Sequence, residues 1–355
     1  MHYTKRIGEM KKLCVFLGTM IAVVAISLSS FGFDSELKGK GATFPLPLYT
    51  MMFDEYNRQF EINVEYEGIG SSGGIKALSN REVDFGGTDA FMNDELIAAT
   101  GADIVHIPTC LGAVAVTYHL TGNPPLNLSQ EVLADIFLGE ITKWNDKAIV
   151  ALNPGVTLPD KSITIVHRSD GSGTTNIFTD FLTKISPDWE KKVGKGKTVE
   201  WPVGVGVTKN SGVAGMIKKL PGAIGYVEMS YAIENNMPVA SIENRSGNFI
   251  APSLKSTSLS AEGDIPADTR VSLTNTSAEN GYPITGFTWI ILYMEQSYND
   301  RTKDQAEALV DLVWWMTHDG QAFPEGLNYA PLPEKAVSTV EEIIGSITYN
   351  GSPIR

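Results

Sequence analysis

Apolar positions along the chain recur in two registers. Tyr49, Met52, Phe53, Tyr56 and Phe60 fall at helical spacing, as do Ala306, Leu309, Val310, Val313 and Met316, so each run predicts a helix with one buried face. Short β-rich runs, Ile62 to Tyr66, Ala113 to Tyr118, Ile163 to His167 and Trp289 to Tyr293, predict strands. Strands and helices that alternate in this way build α/β layers. From Asn244 to Tyr282 the chain turns rich in Ser, Asn, Asp and Thr, which predicts an irregular excursion before the return to strand.

The first residues break the pattern. Lys5, Arg6, Lys11 and Lys12 precede an apolar run from Leu13 to Ile26, and Ser30 and Gly32 follow as small residues suited to cleavage. This predicts a secretory signal peptide over residues 1–32, because the run is shorter than the ~20 residues a spanning helix needs. Cys14 stands at the start of the run, which argues against attachment of lipid there. The expected destination is outside the cytoplasm: the periplasm, or the cell surface if the source has one membrane.

Composition narrows the classes. With 43% hydrophobic and 19% charged residues in 355, the chain can bury a core of two ordinary domains. Loss of residues 1–32 removes four basic side chains and Glu9, taking the net charge from −13 to −16. Such acidity disfavours nucleic acid or an anionic membrane as partner. Screening over ~8 Å leaves the local groups of any small-anion site in control. Only Cys110 would remain, so no intramolecular disulfide is expected, and it reads as a buried, inert residue at a strand end. The histidines, among them His106, His119 and His318, lack metal-ligand spacing; neither metal nor cofactor is expected.

Three Gly/Ser/Thr turns carry the candidate chemistry. Gly39 to Pro47 runs into the first helix, so Thr43 and Phe44 sit where backbone N–H groups are free. Gly68 to Ile75 joins a strand to a helix. It contains a literal GxGxxG, with Asp89 downstream as a dinucleotide fingerprint would want, and a literal GxSxG centred on Ser72, as in a nucleophile elbow. The two readings exclude each other, and no Asp-then-His order completes a triad. What they share is a Gly-rich helix N-terminus that cradles an anion. The third turn, His167 to Thr175, follows a strand and offers Arg168 to an oxyanion, with Asp170 placed to pair with its guanidinium. Asp89, in Val83 to Phe91, reads either as a solvated loop carboxylate or as the acceptor for a proton on the anion.

Ala42-Thr43-Phe44-Pro45, Gly68 to Gly74, Val83 to Ala90, Arg168 to Thr174 and Pro221 to Glu228 together resemble, in order and spacing, the periplasmic phosphate-binding proteins of phosphate ABC importers. The resemblance runs from about Leu37 to the end and is weakest over Asn244 to Tyr282. It implies a two-lobed α/β fold of the type II periplasmic-binding-protein kind, each lobe a sheet flanked by helices. Residues 33–115 and 284–355 would form lobe one and 116–283 lobe two, with hinge crossovers near Ala113 to Thr117 and Tyr282 to Trp289. It further implies that Thr43, Phe44, Ser71, Asp89, Arg168, Ser172, Gly173 and Thr174 bind phosphate, with Asp170 steadying Arg168. The implied partners are inorganic phosphate and membrane permease subunits, with the protein a monomer and no enzyme. His167, where many relatives carry a second arginine, and Gly87-Thr88 depart from the family pattern. A sulfate- or molybdate-type binder of the same fold and an exported serine esterase or phosphatase built on Ser72 are the competing readings. Three helix N-termini (~+0.5 each), Arg168 and Asp89 sum to a site near ~+1.5, favourable to an anion.

Overall fold

A computed structural model describes residues 36–355; the signal peptide expected over residues 1–32 lies outside the described residues. Eight strands form one mixed sheet: β1 (Glu36–Gly41), β2 (Asn63–Gly68), β3 (Phe85–Thr88), β4 (Ile104–Tyr118), β5 (Thr164–Arg168), β6 (Val205–Val207), β7 (Ala223–Glu228) and β8 (Thr285–Tyr293). Their spatial order is β2-β1-β3-β8-β4-β7-β5-β6. The helices that matter below are α1 (Leu46–Phe60), α2 (Ser71–Ser79), α3 (Gln130–Leu138), α4 (Gly173–Ile185), α5 (Lys209–Lys219), α6 (Lys303–Thr317) and α7 (Glu334–Gly345).

The helices form where the spacing predicts. In α1 the residues Tyr49, Met52, Phe53 and Tyr56 are buried, while Phe60 at its end is about half exposed. The helix stops at Glu61, which turns left-handed (φ 58°) and returns its N–H to the Asn57 carbonyl. In α6 all five predicted core residues are buried, and Thr302 with Gln305 closes a capping box at its start.

β4 differs most from its predicted extent. It spans fifteen residues, every one buried, because helices cover both faces and no polar alternation marks its length. Cys110 therefore lies within a strand rather than at its end, and burial pushes its thiol pKa well up, in keeping with an inert group. Ile104 to Ala113 pair antiparallel with β8, and Val114 to Tyr118 pair antiparallel with β7. One strand thus serves two halves of the sheet and changes partner between Ala113 and Val114. On one side β1 pairs in parallel with β2 and β3; on the other β5 pairs in parallel with β7 and β6.

The excursion after Asn244 is mostly irregular, as its composition predicts, apart from a two-residue strand and a short helix at Leu254–Leu259. Residues 268–274 tie down to both halves. Arg270 bonds Asp94 and the Met92 carbonyl, whereas Ser272 and Thr274 donate to Asp180 of α4, which also meets Lys184 and Lys195.

Candidate functional site

The carboxyl ends of β1, β2, β3 and β5 converge, and the predicted turns follow from them. Thr43 and Phe44 lead into α1, Ser71 opens α2, Asp89 follows β3, Arg168 ends β5, and Ser172 caps α4. Strand ends in open α/β sheets are where ligands bind, because helix N-termini face the same crevice. All eight predicted contact residues are buried.

The two halves meet here. Ser72 N–H donates to the Gly171 carbonyl at 3.0 Å. A Cβ on Gly173 would fall 2.4 Å from Ser71 Oγ and 2.5 Å from Asp89 Oδ2, so only glycine lets α4 come this close. The GxSxG serine is consequently packed against a turn of the other half. Among the described residues, no hydrogen bond joins Ser72 to a histidine.

Three tyrosines, two of them buried and Tyr66 partly so, decide where the first turn points. Tyr66, Tyr231 and Tyr329 donate their hydroxyls to the carbonyls of Ala42 (2.9 Å), Thr43 (2.6 Å) and Phe44 (2.7 Å). With those carbonyls held, the N–H groups of Thr43 and Phe44 are left over. Among the described residues, the backbone N–H groups of Thr43, Phe44, Ser71, Gly173 and Thr174 find no protein acceptor. Five such buried donors in one place are costly without a ligand, since nearly all buried N–H groups in folded proteins are paired.

Arg168 adds a sixth. Its Nε and Nη2 bond Asp170 Oδ1 and Oδ2 at 2.6 and 2.5 Å, and Nη1 is buried with no partner among the described residues. The Nε–Nη2 edge of the fork therefore belongs to Asp170, and the free donor is Nη1. Burial works against the charge on Asp170, but the Arg168 bonds and the Lys209 N–H outweigh it and hold the carboxyl below its ordinary range. The His167 ring points away from the free donors: its Nδ1 bonds the Arg168 carbonyl at 3.0 Å, it stacks on Trp201 with centroids 4.8 Å apart, and burial lowers its pKa.

Against these donors stands one acceptor. Asp89 Oδ1 takes the Thr288 hydroxyl at 2.7 Å, and among the described residues Oδ2 has only Ser71 Oγ at 3.5 Å. Burial raises its pKa to about 7, against the opposing effects of the Thr288 bond and the Arg168 charge. The arrangement suits a tetrahedral oxyanion that carries a proton: many N–H donors for its charge and one carboxylate for its hydrogen. The cavity nearest Asp89, about 50 Å³, is lined by Phe91, Ile177, Lys195 and Trp289 and contains none of the free donors, so it is a neighbouring void.

A family model described as the PBP superfamily domain matches residues 32–317. The phosphate-binding protein PstS of Pasteurella multocida is 38% identical over 327 residues, covering 90% of this chain and 93% of that protein. The chain belongs to the PstS family. A PstS of Methanocaldococcus jannaschii is 35% identical over 93% of the chain and 94% of its own length. Among solved structures, a high-affinity periplasmic phosphate-binding protein (PfluDING) bound with phosphate superposes with a TM-score of 0.71 at 21% identity, covering 86% of this chain and 93% of that one. A phosphate ABC transporter substrate-binding protein from Clostridium perfringens gives 0.62 at 15%, covering 84% and 100%. The α/β fold of periplasmic binding proteins, an eight-stranded sheet flanked by helices, is thus this chain's fold.

In this PstS-family chain the site rests on several residues that the turns do not announce: Asn210, Thr288, Glu228 and the three tyrosines. The tyrosines, Asn210 and Thr288 lie 24 or more positions from the site groups they hold, whereas Glu228 meets the site only through its N–H on Asn210. Glu228, at the end of β7, is fully buried; burial lifts its carboxyl to about 8, Ser230 bonds one oxygen, and Oε1 has no partner among the described residues.

Both raised carboxyls link stability to pH. Asp89 and Glu228 hold protons in the folded state up to about 7 and about 8, whereas unfolded they release them near 3.8 and 4.5. Their stabilising contribution is complete below the unfolded values and is lost as pH rises through the folded ones. His106, whose pKa burial lowers from 6.5 to about 3, acts in the opposite sense below 6.5. Anion-free protein should therefore lose stability as pH rises from about 4.5 to 8, by up to ~1.4 kcal/mol per unit for each carboxyl until its folded value is passed, with His106 offsetting part of the loss below 6.5. Urea titrations across that range should be flatter in Asp89→Asn and Glu228→Gln; wild-type slopes in both variants would contradict the assignment.

Proposed function

We propose that the protein is exported, captures inorganic phosphate between its lobes and delivers it to the permease subunits of a membrane ABC importer, doing no chemistry on it. The observation that carries the reading is the ratio of buried groups: five unpaired N–H donors and Arg168 Nη1 around the single acceptor Asp89. Thr43, Phe44, Ser71, Asp89, Arg168, Ser172, Gly173 and Thr174 bind the anion, and Asp170 steadies Arg168. The PstS relatives, named as phosphate-binding proteins, support the same ligand. No helix among the described residues is long and apolar enough to cross a membrane. The protein acts as a monomer in the periplasm, or at the cell surface if its source has a single membrane.

Lobe one comprises residues 33–115 and 284–355, and lobe two residues 116–283. The partner change of β4 between Ala113 and Val114 supports the first crossover, and the pairing of Thr285 with Ala113 brings the second beside it. Thr43, Phe44, Ser71 and Asp89 then belong to one lobe, and Arg168, Ser172, Gly173 and Thr174 to the other. Phosphate interacts with both only when the lobes close, which is the condition for a ligand to shift open and closed populations.

Isothermal calorimetry on the mature chain tests the reading. Phosphate should bind stoichiometrically, arsenate comparably and sulfate hardly at all, with a smaller radius of gyration by scattering once phosphate saturates. Sulfate heats equal to those of phosphate would move the protein to the sulfate-type binders, and turnover of a chromogenic ester would restore the esterase.

A further inference from the structure

Asn210, the second residue of α5, is fully buried and stands between the lobes. The residue before it, Lys209, is held at φ 66°, a left-handed conformation unfavourable for a side chain with a Cβ, and its N–H is fastened to Asp170 Oδ1. This bend carries Asn210 into the site. Its Oδ1 accepts the Glu228 N–H at 3.0 Å, which fixes the amide so that Nδ2 points the other way. Nδ2 then donates to two hydroxyls at once, Thr43 Oγ1 and Thr174 Oγ1, each at 3.1 Å.

Those two hydroxyls are themselves buried, and among the described residues neither donates a hydrogen bond to any protein atom. A hydroxyl has one proton and two lone pairs. With an amide N–H occupying an acceptor position on each oxygen, the remaining proton is directed elsewhere, and the unpaired N–H groups of the same two residues mark where the anion lies. We infer that Asn210 is a positioning residue that turns the Thr43 and Thr174 hydroxyls, one from each lobe, into donors toward the bound oxyanion. It thereby makes both lobes present protons rather than lone pairs. The inference rests on the phosphate reading above.

A double-mutant cycle tests it. Asn210→Ala should weaken phosphate binding by ~10- to 100-fold, because the Thr174 hydroxyl is then free to turn a lone pair to the anion and the Thr43 hydroxyl keeps only the long bond from the backbone N–H of residue 210, at 3.5 Å in the wild type. In a Thr43→Val/Thr174→Val background, where there is no hydroxyl to orient, the same change should cost less than about threefold. Asn210→Asp keeps the acceptor for the Glu228 N–H, so it guards against a misfolded alanine variant. Its carboxylate would take both hydroxyl protons, so binding should fall below that of Asn210→Ala. Part of that extra loss should disappear in the valine background, and the part that persists measures bare charge repulsion. Equal fold-losses for Asn210→Ala in both backgrounds, or an Asn210→Asp variant that binds as well as wild type, would overturn the role while leaving phosphate binding intact. Failure of the wild-type protein to bind phosphate would instead remove the function and this inference with it.

Discussion

Asp89→Asn is expected to reduce the preference for phosphate over sulfate by at least a hundredfold. Near neutrality phosphate keeps at least one proton, and sulfate has none. An ionised Asp89 can accept that proton in a hydrogen bond but presents only lone pairs to sulfate. Sites built around one buried hydrogen bond reject analogues that cannot make it by ~10⁴ to 10⁵. The Thr288 hydroxyl donates to Oδ1 and would hold the same oxygen of an asparagine, leaving Nδ2 on the side now occupied by Oδ2. The variant would thus offer sulfate a donor where wild type offers it a charge. Competition calorimetry with both anions reads the ratio; an unchanged value would mean that Asp89 does not sense the proton.

Arg168→Ala is expected to weaken phosphate binding by ~10²- to 10⁴-fold, since charge-assisted hydrogen bonds contribute ~1.5 to 3 kcal/mol each and the free end of the guanidinium can make about two. The loss is larger than the missing bonds alone, because Asp170 would stand unneutralised beside the anion; in the wild type its carboxylate is tied to Arg168 by two short bonds. Arg168→Lys should restore only part of the affinity. A single ammonium cannot hold both oxygens of Asp170 and still extend a planar donor into the site. The decrease in radius of gyration expected on phosphate binding should largely vanish in Arg168→Ala, which lacks its main attraction for the ligand. Wild-type affinity in the lysine variant would show that charge alone matters.

The local chemistry of this site is legible in the amino-acid order because its parts are close in the chain. Arg168 and Asp170 are two residues apart on one turn, so their ion pair follows from spacing, as does the Ser172 cap that bonds the Thr175 N–H at 3.0 Å. The buried faces of α1 and α6 follow from periodicity for the same reason. β4 escaped because its buried residues show no alternation, and a strand covered on both sides has no polar face to reveal its length.

The rest was decided in three dimensions. Asn210 meets Thr43 across 167 positions, Thr288 meets Asp89 across 199, and Tyr329 meets the Phe44 carbonyl across 285. No local pattern encodes such pairs; they exist because the sheet order and the closure of two halves bring them together. The lifted pKa of Asp89 belongs to the same class, since its largest cause is removal from water by groups remote in the chain. Residue order alone marks which turns could bind an anion. That their donors are left unpaired and face one acceptor follows from the packed fold, because desolvation and long-range pairing do not arise between neighbouring residues.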